Sequence, residues 1–197
     1  MVESSADPRF NYTHRIRRLC DDLVCRLPEL AHIDLDRVAI SFSQARKAAL
    51  HGIFASLTPL RFAGGSVVTT RRGRQVRVEP VSDSTGREML YILSVYLPRF
   101  QNLDFREKLI TVVHELWHIS PEFNGDIRRH AGRYHAHTHS QAEYDEEMGR
   151  LVDRWLEMEP PEVLWAFLRD DFRQLTARHG AIVGLKYRRP RIIPFLA

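Results

Sequence analysis

The sequence predicts an α+β fold, and three observations carry that prediction. Residues 104–119 have the apolar spacing of a helix buried around most of its circumference. Short alternating runs at 66–70 and 75–79 flank Arg71-Arg72-Gly73-Arg74, and a longer apolar run follows at 89–97. Helical patterns lie on both sides of this block. Strands and helices are therefore segregated along the chain, as in the α+β class.

Taken in order, residues 1–10 read as a disordered N-terminus. A helix is expected over 11–26, with Ile16, Leu19, Cys20, Leu23 and Val24 on its inner face and Pro28 as its stop. Ile33, Leu35, Val38, Ile40 and Phe42 alternate with polar residues, which predicts a strand near 37–43. Residues 44–57 read as a short helix or an irregular crossing. The runs at 66–70 and 75–79 form a hairpin in which Gly73 supplies a positive-φ turn position. Residues 89–97 are expected as a third strand of that sheet. Asp104 and Glu107 have the spacing of a capping box for the helix 104–119. Ser120-Pro121 ends it, because the residue before a proline is pushed out of helical geometry. A loop covers 120–139. Ser140 and Glu143 form a second capping box, opening a helix through about residue 157, and another helix spans roughly 160–178. The reading is a single domain over 11–183 followed by a basic tail at 184–197.

Composition narrows the function. The 44% hydrophobic and 27% charged fractions are those of a globular protein, and 197 residues suffice for one real core. No apolar run approaches the roughly 18 residues of a membrane span. The first residues have neither the basic start nor the apolar stretch of a signal peptide. Cys20 and Cys25 suggest no disulfide framework, so a reducing cytoplasm is expected, with both cysteines as small core residues. The net charge is +4, and 26 of the 29 basic residues are arginine. That bias suits phosphate recognition, and equally a GC-rich genome.

The chemistry resides in His114-Glu115-Leu116-Trp117-His118. Positions i and i+4 of a helix lie on one face, one turn apart. Two imidazoles so placed can share one zinc ion, and the Glu between them can act as general base on an activated water. Buried polar groups are costly, so two histidines one turn apart in an apolar helix need a reason. A catalytic zinc usually has three protein ligands and an open position. The third donor has to follow His118, where His130, His135, His137 and His139 are available. The last three alternate, so an extended chain would turn them to one side. Glu143 competes, although position N3 of a helix already gives it a capping role. Glu147 lies one turn further on. Tyr134, Tyr144, Arg128 and Arg129 are candidates to stabilise an oxyanion.

The stretch 114–129, continued by Gly132-Arg-Tyr-His-Ala-His-Thr-His-Ser-Gln-Ala-Glu-Tyr-Asp145, resembles the putative phage metallopeptidase family. Ser41-Phe42-Ser43 followed by Ala45-Arg46-Lys47 also looks like that family's early region, and the resemblance covers roughly residues 30–155. It implies a zincin-like fold: a small twisted, mostly antiparallel sheet packed on the H-E-x-x-H helix, with helices after it. It also implies zinc as cofactor, a peptide or protein substrate, and His137 as third ligand beside His114 and His118. Glu115 is then the general base for peptide-bond hydrolysis, and the strand at 89–97 is expected to hold substrate by edge pairing. Two alternatives use the basic hairpin Arg71, Arg72, Arg74, Arg77 and the tail arginines Arg188, Arg189 and Arg191: a DNA-associated SprT-like protease, or a non-catalytic zinc-stabilised nucleic-acid-binding module. An intact Glu115 speaks against the second, since a structural metal site needs no base.

Overall fold

The structure, a computed structural model, describes residues 9–44, 52–129 and 141–195, without the side chains of 141–145. Its elements in chain order are β1 (Phe10–Asn11), α1 (Tyr12–Arg26), β2 (Val38–Gln44), β3 (Ala55–Pro59), β4 (Val68–Arg71), β5 (Arg74–Val78), β6 (Tyr91–Leu97), α2 (Phe105–Trp117), α3 (Gln141–Glu157), α4 (Phe172–His179), β7 (Ile182–Val183) and β8 (Ile192–Pro194). The class is α+β, as the segregated patterns predict.

The sheet against α2 has the order β2-β6-β3. β6 runs parallel to β2, from Val38↔Tyr91 to Gln44↔Leu97, and antiparallel to β3, from Ala55↔Val95 to Pro59↔Tyr91. This sheet is therefore mixed, where a mostly antiparallel one is expected. Tyr91, Ile92, Leu93, Val95 and Leu97 of β6 are all buried. A run buried on both faces is the pattern of a central strand. β6 is consequently paired along both edges, and the expectation that 89–97 offers a free edge to substrate is wrong. Among the described residues the outer edge of β3 pairs with no strand, in a region read from sequence as helix or irregular chain. Pro59 and two hydroxyl residues hid that strand.

One face of this sheet meets α1 and α2 in the main core. α1 is capped by the Asn11 side chain, which accepts from the His14 N–H at 3.1 Å, and it buries Ile16, Leu19, Cys20 and Leu23 completely. α2 buries Leu109, Val112, Val113 and Leu116, and the Glu107 carboxylate accepts from the Asp104 N–H at 3.3 Å across the expected capping box. α3 packs beside α2, and the exposed pair Arg106–Asp153 spans them at 2.7 Å. The expected single helix over 160–178 is instead two short 3-10 turns and α4. Asp171 caps α4 through a capping box with Gln174, and an N-cap residue is not helical, so the turn before it has to break.

The expected hairpin forms, but it joins a different sheet. β4, β5 and β8 make a separate antiparallel sheet, with Val76↔Pro194 and Val78↔Ile192 in register. The segment read above as a basic tail thus runs back across the molecule. Tyr187 N–H donates to Ser41 Oγ at 2.9 Å, and residues 192–194 close the hairpin sheet. The hairpin turn places Arg72 at φ 50° and Gly73 at φ 76°. Both central residues of a two-residue type I′ turn need this left-handed backbone, for which Asn-Gly is preferred. An arginine there carries roughly 1–2 kcal/mol of local strain.

Candidate metal centre

The site begins with the geometry of α2. His114 and Glu115 lie in its last turn, and His118 is its C-cap residue, with its N–H bonded to the His114 carbonyl at 3.2 Å. The helical spacing stacks the two imidazoles edge to face, with ring centroids 4.6 Å apart and planes at 78°. Their Nε2 atoms are 2.9 Å apart, so one ring can donate its proton to the other. Two nitrogens on one tetrahedral zinc, each about 2.0–2.1 Å from it, lie about 3.3 Å apart. A slight turn of either ring opens the pair to that separation. Both rings are half-buried. The donor pair fits a borderline-soft cation.

Glu115 faces β3. Burial pushes its carboxyl up to about 7, and the Leu57 backbone N–H partly offsets this by favouring the charged form. Leu57 is on the strand edge turned away from β6, since Phe54, an odd three residues before it, turns its carbonyl toward β6 and accepts from Tyr96 N–H at 2.9 Å. A cleft of about 480 Å³ runs between α2 and this edge. Ile110, Thr111, His114 and Glu115 line one side of it, Phe54 and Ala55 the other.

The chain after α2 returns to it. Ile119 bridges Ile127, and Arg128 N–H donates to the His118 carbonyl at 2.7 Å. The Arg128 guanidinium lies 4.2 Å over the Trp117 ring and bonds the Trp117 carbonyl at 2.7 Å. Arg129 forks onto Asp126 at 2.8 and 2.9 Å. Burial raises the Asp126 carboxyl, but Arg129 and the Gly64 and Ile127 N–H groups together hold it below the usual range. The Tyr91 hydroxyl ties this loop to the sheet, donating to the Asp126 carbonyl and accepting from Gly125 N–H, both at 2.9 Å. Gly125 is required here: a Cβ would sit 2.5 Å from Arg61 Cγ, and φ is +87°. The latch delivers the chain at residue 129 beside His118, and α3 resumes it against the same helix.

A model of the family described as "Putative phage metallopeptidase" matches residues 9–181. The chain belongs to that family. No curated protein and no solved structure matches it. The family description carries a metal and peptide-bond chemistry, and the span of the match includes α2, its latch and the whole central sheet.

Within this family member, the residues read from the sequence distribute as follows. His114, Glu115 and His118 share the end of one helix. His130, His135, His137, His139 and Tyr134 lie outside the described residues. Glu143 and Tyr144 fall in α3, with side chains not described, and Glu147 is paired with Arg150 at 3.0 Å. Among the described residues no three His, Cys, Asp or Glu side chains converge. Arg128 and Arg129, candidates for an oxyanion, are engaged in the latch.

Sequence reasoning missed three contributors. Tyr91 reads as a strand aromatic, and nothing local signals that its hydroxyl anchors a loop 35 residues away. Leu57 contributes only a backbone N–H. Lys108 sits on α2 yet is 2% exposed, and its Nζ donates to the Leu168 and Asp170 carbonyls at 2.8 and 2.9 Å. Burial lowers its ammonium to about 8, against the pull of Asp171, Asp170 and Asp104. Lys108 fastens the 3-10 segment to α2. Lys108→Ala takes the donor from the Leu168 carbonyl, leaves the Asp170 carbonyl with Gln101 Nε2 alone, and opens a cavity, so a loss of roughly 2–5 kcal/mol is expected in urea unfolding.

Proposed function

We propose that the chain is a zinc-dependent peptidase of zincin-like architecture that hydrolyses peptide bonds in the cleft between α2 and β3. The observation that carries this reading is the juxtaposition at the end of α2: two converging imidazoles with a buried carboxyl beside them, facing the outer edge of β3, which pairs with no strand among the described residues. His114 and His118 would hold the ion, and His137 is the choice for a third ligand. The latch supports a donor from this region, because the chain leaves residue 129 at the His118 end of α2. Zinc, when bound, supplies a Lewis acid that polarises a carbonyl and acidifies water.

The chain's own residues do the rest. An extended substrate adds to the outer edge of β3, where the Ala55 N–H and carbonyl and the Leu57 carbonyl turn away from β6, the Leu57 N–H being kept for Glu115. Such pairing lays a peptide along the cleft with its backbone beside Glu115. Glu115, ionised, accepts the proton of the attacking water and passes it to the departing amine nitrogen. Its raised affinity for protons suits both halves of that transfer, since a group near neutrality can take a proton and release it. The Leu57 N–H orients the carboxylate between those events. Phe54 and Ile110 give the cleft apolar walls, which limit water around the reacting bond.

Among the described residues no helix is long and apolar enough to cross a membrane. Cys20 and Cys25 are both free thiols, in keeping with a cytoplasmic setting.

The test is a metal titration of the full chain with single alanine variants. His137→Ala should lower zinc affinity by more than the roughly 10- to 100-fold that outer partners are worth, while His135→Ala should not. A parent protein that takes up no zinc would refute the reading. Loss of zinc in His130→Ala, His139→Ala or Glu143→Ala instead would move the third ligand and leave the peptidase assignment in place.

A further inference from the structure

We propose that the β4-β5-β8 sheet and the segment crossing to it form a surface that binds the phosphate backbone of nucleic acid, separate from the peptidase cleft. The hairpin arginines and the arginines of the C-terminal segment are about a hundred residues apart in sequence. Pairing of β5 with β8 brings them onto one surface, with the hairpin tip at one end and Arg191, beside Glu79, at the other. Residues 66–80 and 184–195 together contain eight basic side chains and one acidic, Glu79. This surplus of seven exceeds the net +4 of the whole chain, so every other residue together nets −3. The surplus of positive charge is gathered on this sheet and the segment that leads into β8.

Seven of the eight cations are arginine, whose planar fork matches phosphate oxygens. Arg191 pairs with Glu79 at 3.3 Å. Among the described residues Arg71, Arg72, Arg74, Arg188 and Arg189 form no ion pair, and all five are exposed. The turn is the most pointed observation. Arg72 occupies a left-handed position that Asn would take with less strain, at the tip of a hairpin where a Cβ on Gly73 would meet nothing within 4 Å. A strained cation projecting into open space is a cost that the fold itself does not require. Beyond its pairing with β8 the hairpin tip, Arg71 to Arg74, is a two-stranded ribbon of a width that enters a major groove. At the other end of this surface, Arg188 and Arg189 line a pocket of about 240 Å³ together with Ser43, Thr58 and Ser94 and with Ser56 and Tyr96, whose hydroxyls bond each other at 3.1 Å. Hydroxyls beside two guanidinium groups suit one phosphate.

The experiment measures fluorescence anisotropy of labelled duplex and single-stranded oligonucleotides, using full-length Glu115→Gln protein so that peptidase activity plays no part. Affinity should fall steeply between about 50 and 200 mM salt, with a log–log slope near −0.9 for each phosphate neutralised on a duplex. The triple variant Arg71→Ser, Arg72→Ser, Arg74→Ser should bind at least about tenfold more weakly and flatten the slope by about 2 to 3. Arg72→Asn separates charge from folding. It should flatten the slope by about 0.9 while its melting temperature stays level or rises. Binding of either strand form supports the proposal, and a preference for duplex assigns the ribbon to a groove. No binding at low salt, binding indifferent to salt, or an unchanged triple variant overturns it. Equal competition by polyglutamate, or binding confined to anionic vesicles, also overturns it. None of these outcomes touches the peptidase reading, which rests on zinc uptake and on α2.

Discussion

Glu115→Gln is expected to retain one zinc per chain and to hydrolyse peptides about 10²- to 10⁴-fold more slowly than the parent, the range that positioned proton transfer contributes. The amide keeps the shape and the contact with Leu57 but cannot accept a proton. The same substitution has a second expected result in the metal-free protein. The carboxyl is raised by burial from its ordinary 4.5 to about 7 in the folded chain. A folded state that holds a proton more tightly than the unfolded chain is favoured at low pH. Its advantage is full below 4.5 and is lost as pH rises through about 7. Above neutrality the buried charge therefore costs the fold roughly 3 kcal/mol, at 1.36 kcal/mol per unit. Glu115→Gln should remove that cost, so the metal-free variant should be the more stable protein at pH 8 and no more stable than the parent at pH 4. Chemical denaturation of both proteins after chelation, across that range, measures the difference. Equal stability at pH 8 would mean that Glu115 is not a buried base, and full peptidase activity in the variant would remove its catalytic role.

His114→Ala and His118→Ala are each expected to abolish stoichiometric zinc. Each removes one of two donors whose nitrogens are 2.9 Å apart, and the remaining imidazole has no neighbour on α2 to share an ion with. The expected loss of affinity exceeds the roughly 10- to 100-fold worth of an outer partner. Zinc should also cease to protect the variants in thermal melts, because a ligand stabilises a fold only in proportion to RT ln(1 + [L]/Kd). The two variants should behave alike, since the geometry gives the rings equal standing. Elemental analysis with a parallel melt at matched zinc decides the matter. Undiminished zinc in either variant would take the ion away from α2 altogether.

The amino-acid sequence by itself determined α2, its capping box and the placing of His114, Glu115 and His118 on one helix end. Those features are local: a 3.6-residue repeat and a cap are written within one stretch of chain, so reading them needs no partner. The hairpin at Gly73 was legible for the same reason. The tertiary structure alone decided which strand is central and which is an edge, because pairing depends on a partner's register and not on a strand's own composition. On that ground β6 lost the substrate edge expected of it, and β3, where a short helix or irregular chain was expected, took it. It alone brought Leu57 to Glu115, turned the Tyr91 hydroxyl into the anchor of the loop after His118, and buried Lys108 under the 3-10 segment. It also folded the C-terminal arginines against the hairpin. Each of these joins residues far apart in sequence through a single hydrogen bond, buried contact or strand pairing. Such contacts leave no periodic trace along the chain, since they are fixed only when distant segments pack and their backbone and side-chain polar groups have to find partners away from water.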